Sequence, residues 1–368
     1  MPTPPRITGS PFPHGTPAPL PLEHASNALP QGGNQVDTSR RSPSEQRSQA
    51  ARDRARFSLL SLPIDGAGRN SAPVEKTAYR SLLAWAERTR EEIIKLYGEH
   101  ALDQLPRNEE GNFENRQSII NAWSSIAYDL YADLEKGRGT KAFDSVGQEQ
   151  FLRDLDAVAQ GDGCKILMQA LHPNDPIDGL SPLAALSLNE KEAKASHFQF
   201  VPHDIGTRPS VSSDGSYARI TLNLSPSHVV DMSRSLVPLL SEFKDIITHF
   251  KVIAPAEQGA RTDNIVIYLN QADSKRAEEL ARVLSAQVPQ AAWKSHTPPG
   301  MHPMRRGIAY AEFNKDAVSS SFGADRASIL VDALIDHLDY GADLKDALHA
   351  VLVDRGYSPS NPAFIAHS

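Results

Sequence analysis

The sequence predicts an α+β fold: a disordered N-terminal leader, a helical layer, then a small antiparallel or mixed sheet flanked by helices. Three observations carry this reading. Residues 74–171 repeat their apolar side chains mostly with a helical period. From His197 onward, short runs alternate apolar and polar. Pro, Gly and Asx turn signals separate those runs, which segregates helices from strands along the chain. The boundaries fall at 1–72, 73–194 and 195–368, and 368 residues suffice for one large domain or two small ones.

The first fifty residues hold ten prolines and no Lys, Trp or Tyr. Such a composition cannot bury enough apolar surface to offset its ordering entropy, so disorder is expected, apart from a helical patch near Arg52–Leu62. No apolar core of a Sec-type signal follows Arg6. Two readings stay open. One is a passive tail; the other is a Ser/Pro-rich leader for a non-Sec export route, with Phe57-Ser58-Leu59-Leu60-Ser61-Leu62 as a chaperone-docking patch.

The helical layer starts with a stripe of Tyr79, Leu82, Leu83, Ala86, Ile93, Ile94 and Tyr97, broken at Gly98 and at Leu105-Pro106. Asn112-Phe113-Glu114 opens a second helix carrying Ile119, Ile120, Trp123, Ile126, Ala127, Leu130, Tyr131 and Leu134. A third pattern runs from Gln148 to Leu171 with a break at Gly161-Asp162-Gly163. Aromatics at this spacing read as core. Residues 173–195 read as a loop with a short helix near Pro182–Ala193.

Strands follow. His197–Val201 alternates and stops at Pro202, and Ala218–Leu224 alternates after the turn signal Asp214-Gly215. Ser225 reads as an N-cap with Pro226 at the first helical position, for a helix that carries Val229 through Ile247. Phe250–Ala254 and Ile265–Leu269 read as two buried strands joined by a polar loop, the second apolar on both faces. A charged surface helix spans Gln271–Ala286, a Pro/Gly loop Trp293–Arg306, and another strand Gly307–Phe313. Helices near Ala324–Leu338 and Leu344–Arg355 close the fold before Gly356, a C′ stop.

The formal charge of −7 gives no support for nucleic-acid or anionic-membrane binding. Cys164 is the only cysteine, which rules out an intramolecular disulfide or a cysteine-based zinc knuckle, and it reads as a core thiol. No apolar run reaches the roughly 18 residues that would suggest membrane insertion. P-loop, nucleophile-elbow, zincin and kinase signatures are absent. His296 and His302, six apart in a Pro-broken loop, are weak as a zinc pair.

The remaining candidates are cations. Lys251 enters an apolar strand beside Phe250, Val252 and Ile253; it reads either as an amine with a depressed pKa or as a snorkelling strand-end lysine. Arg261 is suited to bidentate phosphate binding, or simply pairs with Asp263. Arg219 faces outward by alternation and supplies a third cation. Arg305-Arg306 is a basic pair beside a loop.

The C-terminal half resembles the HopA-type (HopPsyA-like) family of type III secreted effectors of plant-associated bacteria. The resemblance is carried by Lys251-Val252-x-x-Pro255-Ala256-x-x-Gly259, Thr262-Asp263, Tyr268-x-Asn270, His296-Thr297-Pro298 and Tyr310-Ala311-Glu312. It continues through Asp332-Ala333-Leu334 and Arg355-Gly356-Tyr357-x-Pro359-x-Asn361-Pro362-Ala363, with Phe198, Val201-Pro202 and Arg219-x-Thr221 upstream. It implies secretion by a type III system into the host cell cytoplasm and an N-terminal segment that binds a bacterial chaperone. Host partners would be a phosphoprotein or an immune-signalling protein.

That family in turn is similar to phosphothreonine lyase effectors, which eliminate phosphate from phosphothreonine or phosphoserine without metal or cofactor. By that resemblance Lys251 matches the base, and Arg219 and Arg261 match the residues that hold the phosphate. Thr221 stands where the lyases have a histidine, and Ala311 where they have an arginine. His296 is the substitute expected as acid, and Arg305 or Arg306 as the substitute cation. A noncatalytic interaction module is the alternative.

Overall fold

The computed structural model describes residues 72–103, 105–108, 113–135, 142–161, 164–169, 176–178, 182, 197–202, 217–314 and 321–366. The expected leader up to residue 71, most of the 173–195 segment and Asp214-Gly215 lie outside these residues. Helices α1 (Ala72–Tyr97), α2 (Arg116–Glu135) and α3 (Ser145–Gly161) come first. Then follow β1 (Cys164–Gln169), β2 (Pro176–Asp178), β3 (His197–Pro202), β4 (Tyr217–Leu222), α4 (Val229–Glu242), β5 (Ile247–Ile253) and β6 (Ile265–Leu269). The chain continues through α5 (Ser274–Ser285), β7 (His302–Arg305), β8 (Ile308–Phe313), α6 (Phe322–Tyr340) and α7 (Leu344–Asp354). The class is α+β, as the sequence predicts.

The eight strands form one sheet in the order β2-β1-β3-β5-β6-β4-β8-β7, and every neighbouring pair is antiparallel. Alternation assigns each strand two faces. One face carries Phe198, Phe200, Ile220, Phe250, Val252, Ile265, Ile267 and Tyr310 into a core closed by α3, α4 and α5. Phe200 and Phe250 stack there with centroids 4.5 Å apart. On the other face, Ala309, Ala311 and Phe313 of β8 pack under α1, α2, α6 and α7. The remainder of that second face, across β4, β6, β5 and β3, is where the polar residues collect.

Several elements differ from the sequence reading. The third apolar pattern does not stay helical: α3 ends at Gly161, and Cys164–Gln169 is the strand β1, paired with β3. A short apolar run bounded by glycines fits either state, and strand pairing decides it here. His302–Arg305 is an edge strand within the predicted loop; Pro303 is tolerated because no further strand among the described residues pairs on its outer side. Pro226 opens a 3-10 turn that feeds α4, and Ser225 makes no side-chain capping bond; its hydroxyl lies 3.3 Å from that of Ser227. The α4 helix ends at Glu242, so Ile247 begins β5 instead of ending a helix. Tyr268 of β6 is half-buried among polar side chains, so that strand is not apolar on both faces.

Buried arginine organises the junction between sheet and C-terminus. Arg326 of α6 is 0% exposed and donates from Nη2 to the carbonyls of Glu312 (3.1 Å) and Pro362 (3.0 Å). Asp325 accepts from its Nη1 and also from the Tyr357 hydroxyl at 3.1 Å. The guanidinium lies 3.8 Å from the Tyr357 ring centroid. Glu312 accepts from Tyr310 and from the Ile365 amide, both at 2.9 Å. These bonds hold residues 357–366 against β8.

Candidate anion-binding site

The polar half-face is built by strand pairing. Lys251 of β5 is opposite Gln199 on one side and Val266 on the other, and Val266 is opposite Thr221 of β4. One step along, His249 is opposite Tyr268, and Tyr268 is opposite Arg219, which is opposite Ala311. Directly paired residues project from the same face. Arg219 and Lys251 therefore flank β6, on strands roughly 10 Å apart and offset by two residues.

Arg219 is 3% exposed. Its guanidinium lies 5.0 Å from the Phe322 centroid and 5.7 Å from that of Phe313. Among the described residues it makes no hydrogen bond or ion pair, and its buried Nε has no partner. A buried cation without a carboxylate is costly and uncommon. Lys251 is half-buried, with Nζ 5.9 Å from the Tyr268 ring centroid and no hydrogen bond or ion pair among the described residues.

Arg261 is committed. Its Nε and Nη2 donate to the two carboxylate oxygens of Asp263 at 2.8 and 3.1 Å, the pairing the sequence offered as its simpler role. Asp263 is 2% exposed. Burial pushes its carboxyl up, but the bidentate Arg261, then Lys251, then Arg219 outweigh this and hold it below the ordinary carboxylate range. One buried carboxylate thus interacts with all three cations. His197, diagonal to Lys251 on β3, is held well below the usual imidazole range by burial and then by Lys251, Arg261 and His249. His249 stacks on Tyr268 at 4.3 Å with 10° between the planes.

His296 is exposed; its backbone carbonyl accepts from Asn223 Nδ2 at 2.8 Å, two residues beyond Thr221. Gly307 sets this end of β4: at φ +71°, a Cβ there would lie 2.7 Å from the carbonyl oxygens of both Asn223 and Lys294. Thr221 is 1% exposed and its hydroxyl donates to Met301 Sδ at 3.4 Å. Ala311, directly opposite Arg219, adds no donor. Arg305 does not replace the missing cation, because its Nη2 donates at 2.5 Å to Glu278 of α5, which packs on the apolar face. Arg306 donates from Nε to the Trp293 carbonyl at 2.9 Å. His302 lies against Phe364 and Asn361. No group of three or more His, Cys, Asp or Glu side chains suited to a metal occurs among the described residues. The side chain of Cys164 lies outside them.

The arrangement offers donors to an oxyanion: a buried guanidinium, a lysine ammonium and a partly exposed arginine on one sheet face. Sequence reasoning named those cations but assigned no role to His197, Gln199, His249 or Tyr268. Period-two alternation, His197-x-Gln199 and His249-x-Lys251, was the available signal.

Residues 189–364, which contain all of these side chains, match the HopA1 effector protein family. The chain is 29% identical over 181 residues to the protein HrmA of Pseudomonas syringae pv. syringae, a stretch covering 49% of this chain and 45% of that protein. It thus spans about half the length of the curated relative it matches. Two solved structures of Pseudomonas syringae effector proteins are similar in fold. One, from pv. tomato strain DC3000, has a TM-score of 0.59 at 24% identity and covers 80% of this chain and 100% of that one. The other, from pv. syringae strain 61, has a TM-score of 0.58 at 22% identity and covers 79% and 100%. At these identities the structures speak to the fold alone.

Proposed function

We propose, because residues 189–364 match the HopA1 effector protein family and the chain is similar to HrmA of Pseudomonas syringae, that this protein is a type III effector acting in the plant host cytoplasm, where this region binds phosphothreonine or phosphoserine side chains of a host protein. Arg219 and Arg261 clamp the phosphate. Lys251 is the third ligand and the base for removal of the Cα proton, and His296 is the acid for the leaving phosphate. The N-terminal segment carries the export signal and docks the bacterial chaperone. The observation that supports the site most directly is Arg219, buried with no hydrogen-bonded carboxylate and with its Nε unpartnered among the described residues. An oxyanion satisfies it.

A second reading is recognition without turnover, in which the same face is an interaction module for a host immune or signalling protein. It is favoured by Thr221, which is buried against Met301 and cannot act as a general acid near neutral pH. One experiment separates the readings. The full chain is incubated with a phosphothreonine peptide, binding is measured by calorimetry, and the peptide is examined by mass spectrometry for loss of the elements of phosphoric acid. A dehydrated product that disappears in Lys251→Ala supports elimination. Binding without product supports recognition alone, and binding unchanged in Lys251→Ala with no product removes the phosphate site.

A further inference from the structure

Resting on the phosphate site just proposed, we infer that His197 is a further ligand of that site, donating a ring N–H to the bound phosphate from the flank of Lys251 opposite Thr221. The register places it there. Gln199 is opposite Lys251 and His197 is opposite Ile253, so His197 shares the polar face and is the diagonal neighbour of Lys251. Such neighbours have Cα atoms about 7–8 Å apart, a span that a lysine and an imidazole close around one phosphate.

Among the described residues, the charged groups that act on the ring are cationic. Lys251 and His249 face the ring from β5 and Arg261 from the β5–β6 loop, while Asp263 is bound to Arg261. On β1, the register partner Gln169 is uncharged, and Lys165 is paired four residues along with Val201. Burial and these cations keep the imidazole neutral. A phosphate monoester carries a charge of about −1.5 to −2 near neutral pH, which reverses that field. The ring then takes up a proton, and its hydrogen bond to the phosphate becomes charge-assisted. His197 thus supplies the protonatable group that Thr221 lacks.

The test is a histidine side-chain NMR titration of the full chain, free and saturated with a phosphothreonine peptide, with inorganic phosphate as a second probe. The His197 signal is identified by its loss in His197→Gln, or in His197→Asn if the first variant is not folded. The expected result is a midpoint below 6.5 in the free protein that rises by about one unit or more with peptide. By linkage, a one-unit rise makes peptide binding about tenfold tighter at acid than at alkaline pH, a gain absent from the variant, once the phosphate's own titration is divided out. Peptide binding with an unmoved His197 midpoint overturns this inference and leaves the phosphate site standing. Absence of binding of either probe by the wild-type protein overturns both.

Discussion

Arg219→Met separates a functional arginine from a structural one, because the molecule holds a control. Arg219 and Arg326 are both buried, at 3% and 0% exposure, and both lie over Phe313 and Phe322. Arg326 donates from Nη1 and Nη2 to Asp325 and the carbonyls of Glu312 and Pro362, whereas no hydrogen-bond partner of Arg219 occurs among the described residues; the Nε of both is unpartnered there. An unpaired buried cation costs several kcal/mol after relaxation. Cation–π contact at a desolvated site returns about 2 kcal/mol, and Asp263 returns some more at longer range. Methionine keeps most of the apolar stem. Arg219→Met is therefore expected to stabilise the fold by about 1–2 kcal/mol, within the range seen when buried charges become apolar. Arg326→Met, which strands Asp325 and two carbonyls, is expected to cost about 3–5 kcal/mol. Urea midpoints at constant m-value measure both. Calorimetry with a phosphothreonine peptide should show Arg219→Met weakening binding about 10- to 100-fold, the value of a charge-assisted hydrogen bond or two. A loss of more than about 2 kcal/mol of stability in Arg219→Met, or wild-type affinity, would refute the reasoning.

Three further outcomes follow from named contacts. Gly323→Ala places a Cβ 2.7 Å from Cε1 of Tyr131, where α2 docks on α6, and is expected to lower stability by about 1–3 kcal/mol by urea titration. Gly307→Ala meets two backbone oxygens at 2.7 Å and has φ +71°, so the loss should be larger; it should also disturb the chemical shifts of Asn223 and His296. Stability should also fall with acid. His197 is depressed below its unfolded value of 6.5, so the unfolded chain binds the extra proton first and stability declines as pH drops below 6.5. Asp263 is depressed below 3.8, so its contribution is complete above that pH and fades beneath it. His197→Gln should flatten the first decline in urea midpoints measured between about pH 5 and 8.

Alternation made β3 and β4 legible, short apolar runs marked β5, β6 and β8, and apolar periodicity located α1, α2, α6, α7 and the start of α4 to within a few residues. Local pattern failed where two states satisfy it equally. Cys164–Gln169 is an apolar run with no alternation to mark it as a strand, and His302–Arg305 contains a proline that reads as loop until its edge position is known. The loss of Ser225 as a cap has a similar origin: the sequence marks a helix start, but the first turn is 3-10 and the hydroxyl turns toward Ser227 instead.

For the site the division is sharper. The sequence by itself determined which residues of each strand share a face, because side chains alternate with a fixed period of two: Arg219 with Thr221, His249 with Lys251, His197 with Gln199. It also put three cations within one half of the chain. Only the tertiary structure decided that β6 separates β5 from β4, so that Lys251 and Arg219 flank Tyr268 and Val266, and that His197 joins them from β3. Strand order rests on long-range packing between segments tens of residues apart, and no local period encodes it. The same packing buried Arg219 under Phe313 and Phe322 without a hydrogen-bonded counter-ion among the described residues, a cost visible only once β8 and α6 are in place.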